Sequence, residues 1–210
     1  MISLYDYELS GNCYKLRLLL HWLGLEYTRI AVDFHPGREH KSANFIDHVN
    51  PLGQLPVLRD GDFTLRDAQA CLVYLASRYD RSGQWYPGDA RIRGNITLWL
   101  VVADEITRTA SAARLHHSFG YPADLDACVA GARAAFRLLD DQLAENAWQG
   151  QAWLAAAHPT IADIACFPYA ALAGEARVEL QEFPALRRWI RDLRHVQGFI
   201  AMPGILDPSL

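Results

Sequence analysis

The apolar residues of this 210-residue chain change their spacing part-way along it, and the change divides the chain in two. Residues 2–5 are a short apolar run with the character of a strand. From Cys13 the apolar positions fall at Cys13, Leu16, Leu20 and Leu23, one stripe of a helix that Gly24 closes. Ser10-Gly11-Asn12 ahead of it is a turn or helix-cap signal. Tyr27 to Val32 alternates as a second strand, and Phe34 to Arg38 is a Pro/Gly loop. Glu39 to Val49 reads as a weak, polar helix. Leu55 to Arg59 is a strand, Asp60-Gly61 a hairpin turn, and Phe63 to Leu65 its partner. Ala68, Leu72, Leu75, Ala76 and Tyr79 then mark another helical stripe. The order is β-α-β-α-β-β-α.

Beyond Arg81-Ser82-Gly83-Gln84 and Pro87-Gly88 only helical spacing remains. Ile92, Ile96, Trp99, Ala103, Ile106 and Ala110 predict one long helix, and Leu125 to Leu143 a second. Thr160 to Gly174 predicts a third, kinked or restarted at Pro168. Pro184 to His195 predicts a fourth, with proline in its first turn. An α/β module over residues 1–80, a linker over 81–90 and an all-helical unit over 91–210 make a two-domain design.

Composition narrows the function classes. Hydrophobic content of 51% with 21% charged residues fits a soluble globule. A net charge of −4 argues against a nucleic-acid surface. No apolar run reaches the roughly 18–20 residues that span a bilayer, and no signal peptide is evident at the N-terminus. Cys13, Cys71, Cys128 and Cys166 are scattered without metal-ligand spacing, so no metal site is expected. They read as reduced thiols of a cytoplasmic protein.

One segment invites a chemical reading. In Asn50-Pro51-Leu52-Gly53-Gln54-Leu55-Pro56-Val57-Leu58 a proline enters an apolar strand. Pro56 cannot donate a ladder hydrogen bond, and a cis bond before it would turn the Leu55 backbone outward. An extended peptide could then pair with that backbone as an added strand. An ordinary loop leading into a strand explains the same residues.

That segment has company. Ser10-Gly11-Asn12-Cys13-Tyr14-Lys15, Gly37-Arg38-Glu39-His40-Lys41-Ser42, the Asn50–Leu58 stretch, Leu65-Arg66-Asp67-Ala68-Gln69-Ala70, Pro159-Thr160-Ile161-Ala162-Asp163-Ile164-Ala165 and Phe183-Pro184-x-Leu186 occur in that order. Together they resemble a serine-type cytosolic glutathione transferase, bacterial-like and near the theta, zeta and phi classes. The resemblance covers essentially the whole chain. It implies a thioredoxin-like N-terminal domain, an all-helical C-terminal domain and a homodimer. It also implies glutathione as co-substrate and a small hydrophobic electrophile as second substrate.

Residue roles follow from the resemblance. Glutathione carries two carboxylates and a thiol with a free pKa of about 8.5, and its thiolate is the nucleophile. Ser10 takes the catalytic serine position, where its hydroxyl would donate to the thiolate rather than act as a base. Asn12 would add a side-chain N–H to the same sulfur, or serve only as a turn residue. His40 and Lys41 match positions that bind the glycyl carboxylate. Gln54 would bond an end of the peptide, Leu55 would pair with its cysteinyl unit, and Pro56 would hold that edge. Asp67 would take the γ-glutamyl ammonium. Where the family pattern has serine next, this chain has Ala68, leaving a helix N-terminal N–H for the γ-glutamyl carboxylate. Cys13 falls on the interior stripe and reads as a packed thiol. Thr160-x-x-Asp163 reads as a capping box. Trp99, His116, His117 and Tyr169 could face the second-substrate cleft or pack elsewhere. Glutathione-dependent isomerisation or reduction, and non-catalytic glutathione binding, are the alternative functions.

Overall fold

The computed structural model describes residues 1–206. Its sheet holds β1 (Ile2–Asp6), β2 (Tyr27–Ala31), β3 (Val57–Asp60) and β4 (Phe63–Leu65) in the order β2-β1-β3-β4. β1 and β2 are parallel, so a crossover must join them, and α1 (Gly11–Trp22) supplies it. β3 runs antiparallel to β1 and to β4, with Leu58 opposite Leu4 and Leu65. β3 begins at Val57 rather than Leu55. Pro56 has no N–H for the ladder, and the Leu55–Pro56 bond is cis.

A short 3₁₀ turn (Glu39–Lys41) and α2 (Ala43–His48) replace the single polar helix expected over 39–49. The turn is tight because Gly53 comes against it. A Cβ on Gly53 would lie 2.7 Å from the His40 carbonyl oxygen, and its φ is +55°. α2 packs on its own face of the sheet through Val32, Phe45, Val49 and Val57.

On the other face α1 and α3 (Ala68–Tyr79) meet the helical part of the chain in one continuous core. The predicted long helix runs from Ala90 to Phe119 as α4 (Ala90–Ile106), a π-helical stretch (Thr107–Ser111) and α5 (Ala112–Phe119). π insertions of this kind re-aim side chains within a helix. α6 (Leu125–Trp148), α7 (Ile161–Ala171) and α8 (Pro184–Arg194) complete the bundle. α7 is enclosed by neighbours on all sides, and its residues 161–170 are all buried. It passes through Pro168 instead of restarting there. Burial on every side outweighs the one backbone bond that proline forfeits, since each large apolar side chain contributes about 1.5–3 kcal/mol.

The capping box at the head of α7 forms as expected and extends further. Asp163 is fully buried and accepts from the Thr160 N–H at 2.9 Å, the Leu154 N–H at 3.1 Å and the Trp189 Nε1–H at 2.9 Å. It ties α7 to α8 and to the preceding loop.

Candidate functional site

A cleft of about 560 Å³ opens between the sheet module and the helix that runs through α4 and α5. Ser10, Asn12, His40, Lys41, Gln54, Leu55, Asp67 and Ala68 all line it. Pro56 does not. It lies buried behind Leu55 at the start of β3.

Ser10 is the N-cap of α1, with extended backbone angles, and its Oγ accepts the Cys13 N–H at 3.2 Å. That bond uses a lone pair and leaves the hydroxyl proton free for a group in the cleft. Capping and thiolate stabilisation are therefore compatible in one side chain. Cys13 lies outside the cleft lining. It is fully buried, and burial pushes its thiol up to about 12, which makes it inert at neutral pH.

Asn12 is held from both sides. Thr107 of the π-helical stretch donates to its Oδ1 at 3.4 Å, and its own N–H donates to the Tyr169 hydroxyl at 3.2 Å. Tyr169 gets this close because residue 11 is glycine: a Cβ there would sit 2.7 Å from the Tyr169 ring. The Asn12 Nδ2 makes no hydrogen bond among the described residues.

The loop that leads into β3 lines another part of the cleft. The Asn50 side chain donates to the Gln54 carbonyl at 2.9 Å and accepts from Leu52 N–H at 3.0 Å, which fixes the loop before Pro56. Among the described residues the Leu55 N–H and C=O make no backbone hydrogen bond. Lys41 is exposed and donates to the Leu52 carbonyl at 3.3 Å. His40 is buried and stacked on Phe34, ring centroids 4.0 Å apart. Burial, aided by the Lys41 and Arg38 charges, lowers its pKa to about 4, so it is a neutral imidazole at pH 7.

Asp67 caps α3 through an Oδ1 bond to the Ala70 N–H at 2.8 Å, leaving its other oxygen for a cation. The side chains of Ala68 and Gln69 follow in the first turn and line the cleft. Helix N-termini present unpaired N–H groups to anions.

The remaining wall comes from residues to which the sequence assigned no role. Arg66 donates to the Val49 carbonyl at 2.9 Å. Arg114, buried on α5, bonds Glu175 at 2.6 Å and the Leu9 carbonyl at 2.8 Å. Gln69 donates to Asp104 across 2.5 Å. Tyr7, Phe34, Phe119 and Tyr121 form an aromatic wall, with Phe34 stacked between Tyr7 and Tyr121. Of the four helical-domain residues left open by the sequence, Tyr169 alone lines the cleft. Trp99 is buried in the core, and His116 bonds the Tyr121 carbonyl at 2.8 Å.

A family model described as glutathione S-transferase, N-terminal domain, matches residues 4–83, and one described as glutathione S-transferase, C-terminal domain, matches residues 122–192. The chain belongs to the glutathione S-transferase family. Human glutathione S-transferase theta-1 is 29% identical over 172 residues, 78% of this chain and 69% of that protein. The crystal structure of a glutathione S-transferase from Xanthobacter autotrophicus shares 27% identity and the full length of both chains, with a TM-score of 0.84. A glutathione transferase homologue from Lodderomyces elongisporus, solved with two GSH per subunit, shares the fold at 22% identity, a TM-score of 0.82 and 94% coverage of each chain. The transferase assignment thus rests on both parts of the chain. Its fold is a thioredoxin-like module with a four-stranded mixed sheet followed by a helical domain.

Proposed function

We propose that this glutathione transferase adds the glutathione thiolate to a small hydrophobic electrophile, with Ser10 as the residue that stabilises the thiolate. The observation that carries the reading is Ser10 itself. It stands at the head of α1 inside the cleft, its lone pair engaged by Cys13 N–H and its proton uncommitted. A thiolate there receives the Ser10 O–H bond and the favourable end of the α1 dipole.

The other groups fit the rest of the tripeptide. Leu55 offers its backbone to the cysteinyl unit, Asp67 its free oxygen to the ammonium, and the head of α3 its N–H groups to the γ-glutamyl carboxylate. Lys41 provides a compact cation for the glycyl carboxylate. Neutral His40 takes part only as a hydrogen-bonding ring. Asn12 aims its amide at the same sulfur as Ser10. The aromatic wall and Leu115 face the cleft where a hydrophobic electrophile would lie. The homodimer, the domain division at 81–90 and the cytoplasmic setting belong to this reading through the family.

Replacing Ser10 with alanine tests it. Losing one positioned donor costs roughly 10² in turnover. Turnover of an aryl halide with glutathione should fall by that factor while glutathione affinity changes little. Ultraviolet titration of bound glutathione should show the thiol pKa rising. Unchanged turnover and an unchanged thiol pKa would reduce Ser10 to a helix cap. Glutathione binding by the parent protein without turnover on any of a set of electrophiles would point to a binding protein instead.

A further inference from the structure

Lys15 is the one lysine of the described chain that is wholly buried, and its Nζ has no hydrogen-bond partner. It lies one turn beyond Asn12 on α1, so the two share a helix face. That face is covered by Tyr169, whose ring centroid is 5.6 Å from Nζ and whose hydroxyl accepts the Asn12 N–H. The charged and titratable groups facing Lys15 are Asp67 at the head of α3, Asp104 on α4, and Cys166 and Tyr169 on α7. Asp104 is exposed and shares an oxygen with Gln69, and Cys166 donates to the Trp99 carbonyl.

Stability does not explain this lysine. A buried ammonium without a hydrogen-bonded partner costs more than an apolar side chain of the same length. What the location offers is charge. Five residues of helix separate Lys15 from Ser10, about 7.5 Å along the axis. Tyr169, whose ring packs against the ammonium, and Asn12, one turn away, both line the cleft, and Lys15 does not.

Resting on the thiolate reading of the site, we infer that Lys15 is a positioning cation for that thiolate. Its buried charge is set behind the α1 N-terminus and oriented toward the sulfur position through Tyr169 and Asn12. Burial lowers the Lys15 pKa to about 8, so the charge is largely present at pH 7. A unit charge some 8–10 Å from a developing anion, in surroundings of effective dielectric constant near 20, shifts the anion's pKa by about one unit.

The test compares the parent with Lys15→Met, which fills the same volume without charge, and with Lys15→Gln as a second neutral variant. Thiolate absorbance of bound glutathione is titrated in each, alongside thermal melts and a pH profile of kcat/KM. The expected result is a bound thiol pKa about one unit higher in both variants. The thiolate fraction near neutrality should be about three- to fivefold lower for a thiol that titrates near pH 7, with Lys15→Met melting no lower than the parent. A merely structural lysine would move the melt and leave the thiol pKa in place, and that outcome overturns the role of Lys15 alone. A parent protein whose bound glutathione shows no lowered thiol pKa overturns the thiolate reading of the site and this inference with it.

Discussion

The Tyr169 hydroxyl, near the end of α7, accepts the backbone N–H of Asn12 in the first turn of α1, at 3.2 Å and across 157 residues of chain. Helices leave their first N–H groups unsatisfied, and Ser10 covers only the one on Cys13. Tyr169 covers the next from the far side of the molecule. It locks the head of α1 to the most deeply buried helix of the bundle, and so places Ser10 and Asn12 against the cleft.

Tyr169→Phe keeps the ring beside Gly11 and removes the acceptor. The half-buried Asn12 N–H then loses its partner, which costs up to about 1–3 kcal/mol. Denaturant unfolding should report a loss in that range. Turnover should fall with it, because the head of α1 is no longer fixed. A variant as stable as the parent would mean that another group or water already serves this N–H.

Asp163→Ala should be far more damaging than the loss of a simple cap, which costs about 0.5–2 kcal/mol. Asp163 receives three separate buried N–H groups, from Thr160, Leu154 and Trp189. Orphaning them at about 1–3 kcal/mol each sums to more than about 3 kcal/mol. The melting temperature should drop sharply, while the glutathione KM of protein that stays folded should hold, since Asp163 is remote from the cleft. A shift no larger than a single cap would deny the link to α8.

Ala68→Ser restores the hydroxyl that the family pattern places at the head of α3. A hydrogen bond to a charged group contributes about 1.5–3 kcal/mol at best, and the open cleft reduces that. Glutathione should bind up to about tenfold more tightly by calorimetric titration at fixed pH and salt. Equal or weaker binding would show that the γ-glutamyl carboxylate is held elsewhere.

His40 should make the fold acid-sensitive in a defined window. Its ordinary pKa is 6.5 and its folded value about 4, lowered by burial first and by Lys41 and Arg38 second. Between those values the unfolded chain binds the proton and the folded chain does not. Stability from this residue is therefore complete above pH 6.5 and declines as pH falls towards 4. His40→Asn should flatten the stability profile across that window relative to the parent. Parallel profiles would mean that His40 protonates freely in the folded protein.

The sequence by itself determined the element order, the switch from mixed to purely helical spacing, the capping roles of Ser10 and Thr160-x-x-Asp163, and eight residues of the cleft. All are short-range properties: apolar period, cap chemistry and motifs of a few contiguous residues. Only the tertiary structure decided that α7 runs through Pro168, because enclosure by neighbouring helices outweighs a local penalty that sequence spacing alone predicts. It also decided that Pro56 lies outside the cleft lining while Leu55 is part of it, and that His40 is buried and neutral. The sequence left Tyr169 as one of four open candidates and gave no role to Arg114 or Lys15, for the same reason. Each acts through partners 61 to 157 residues away or through burial among distant elements, and neither leaves a periodic mark on the chain.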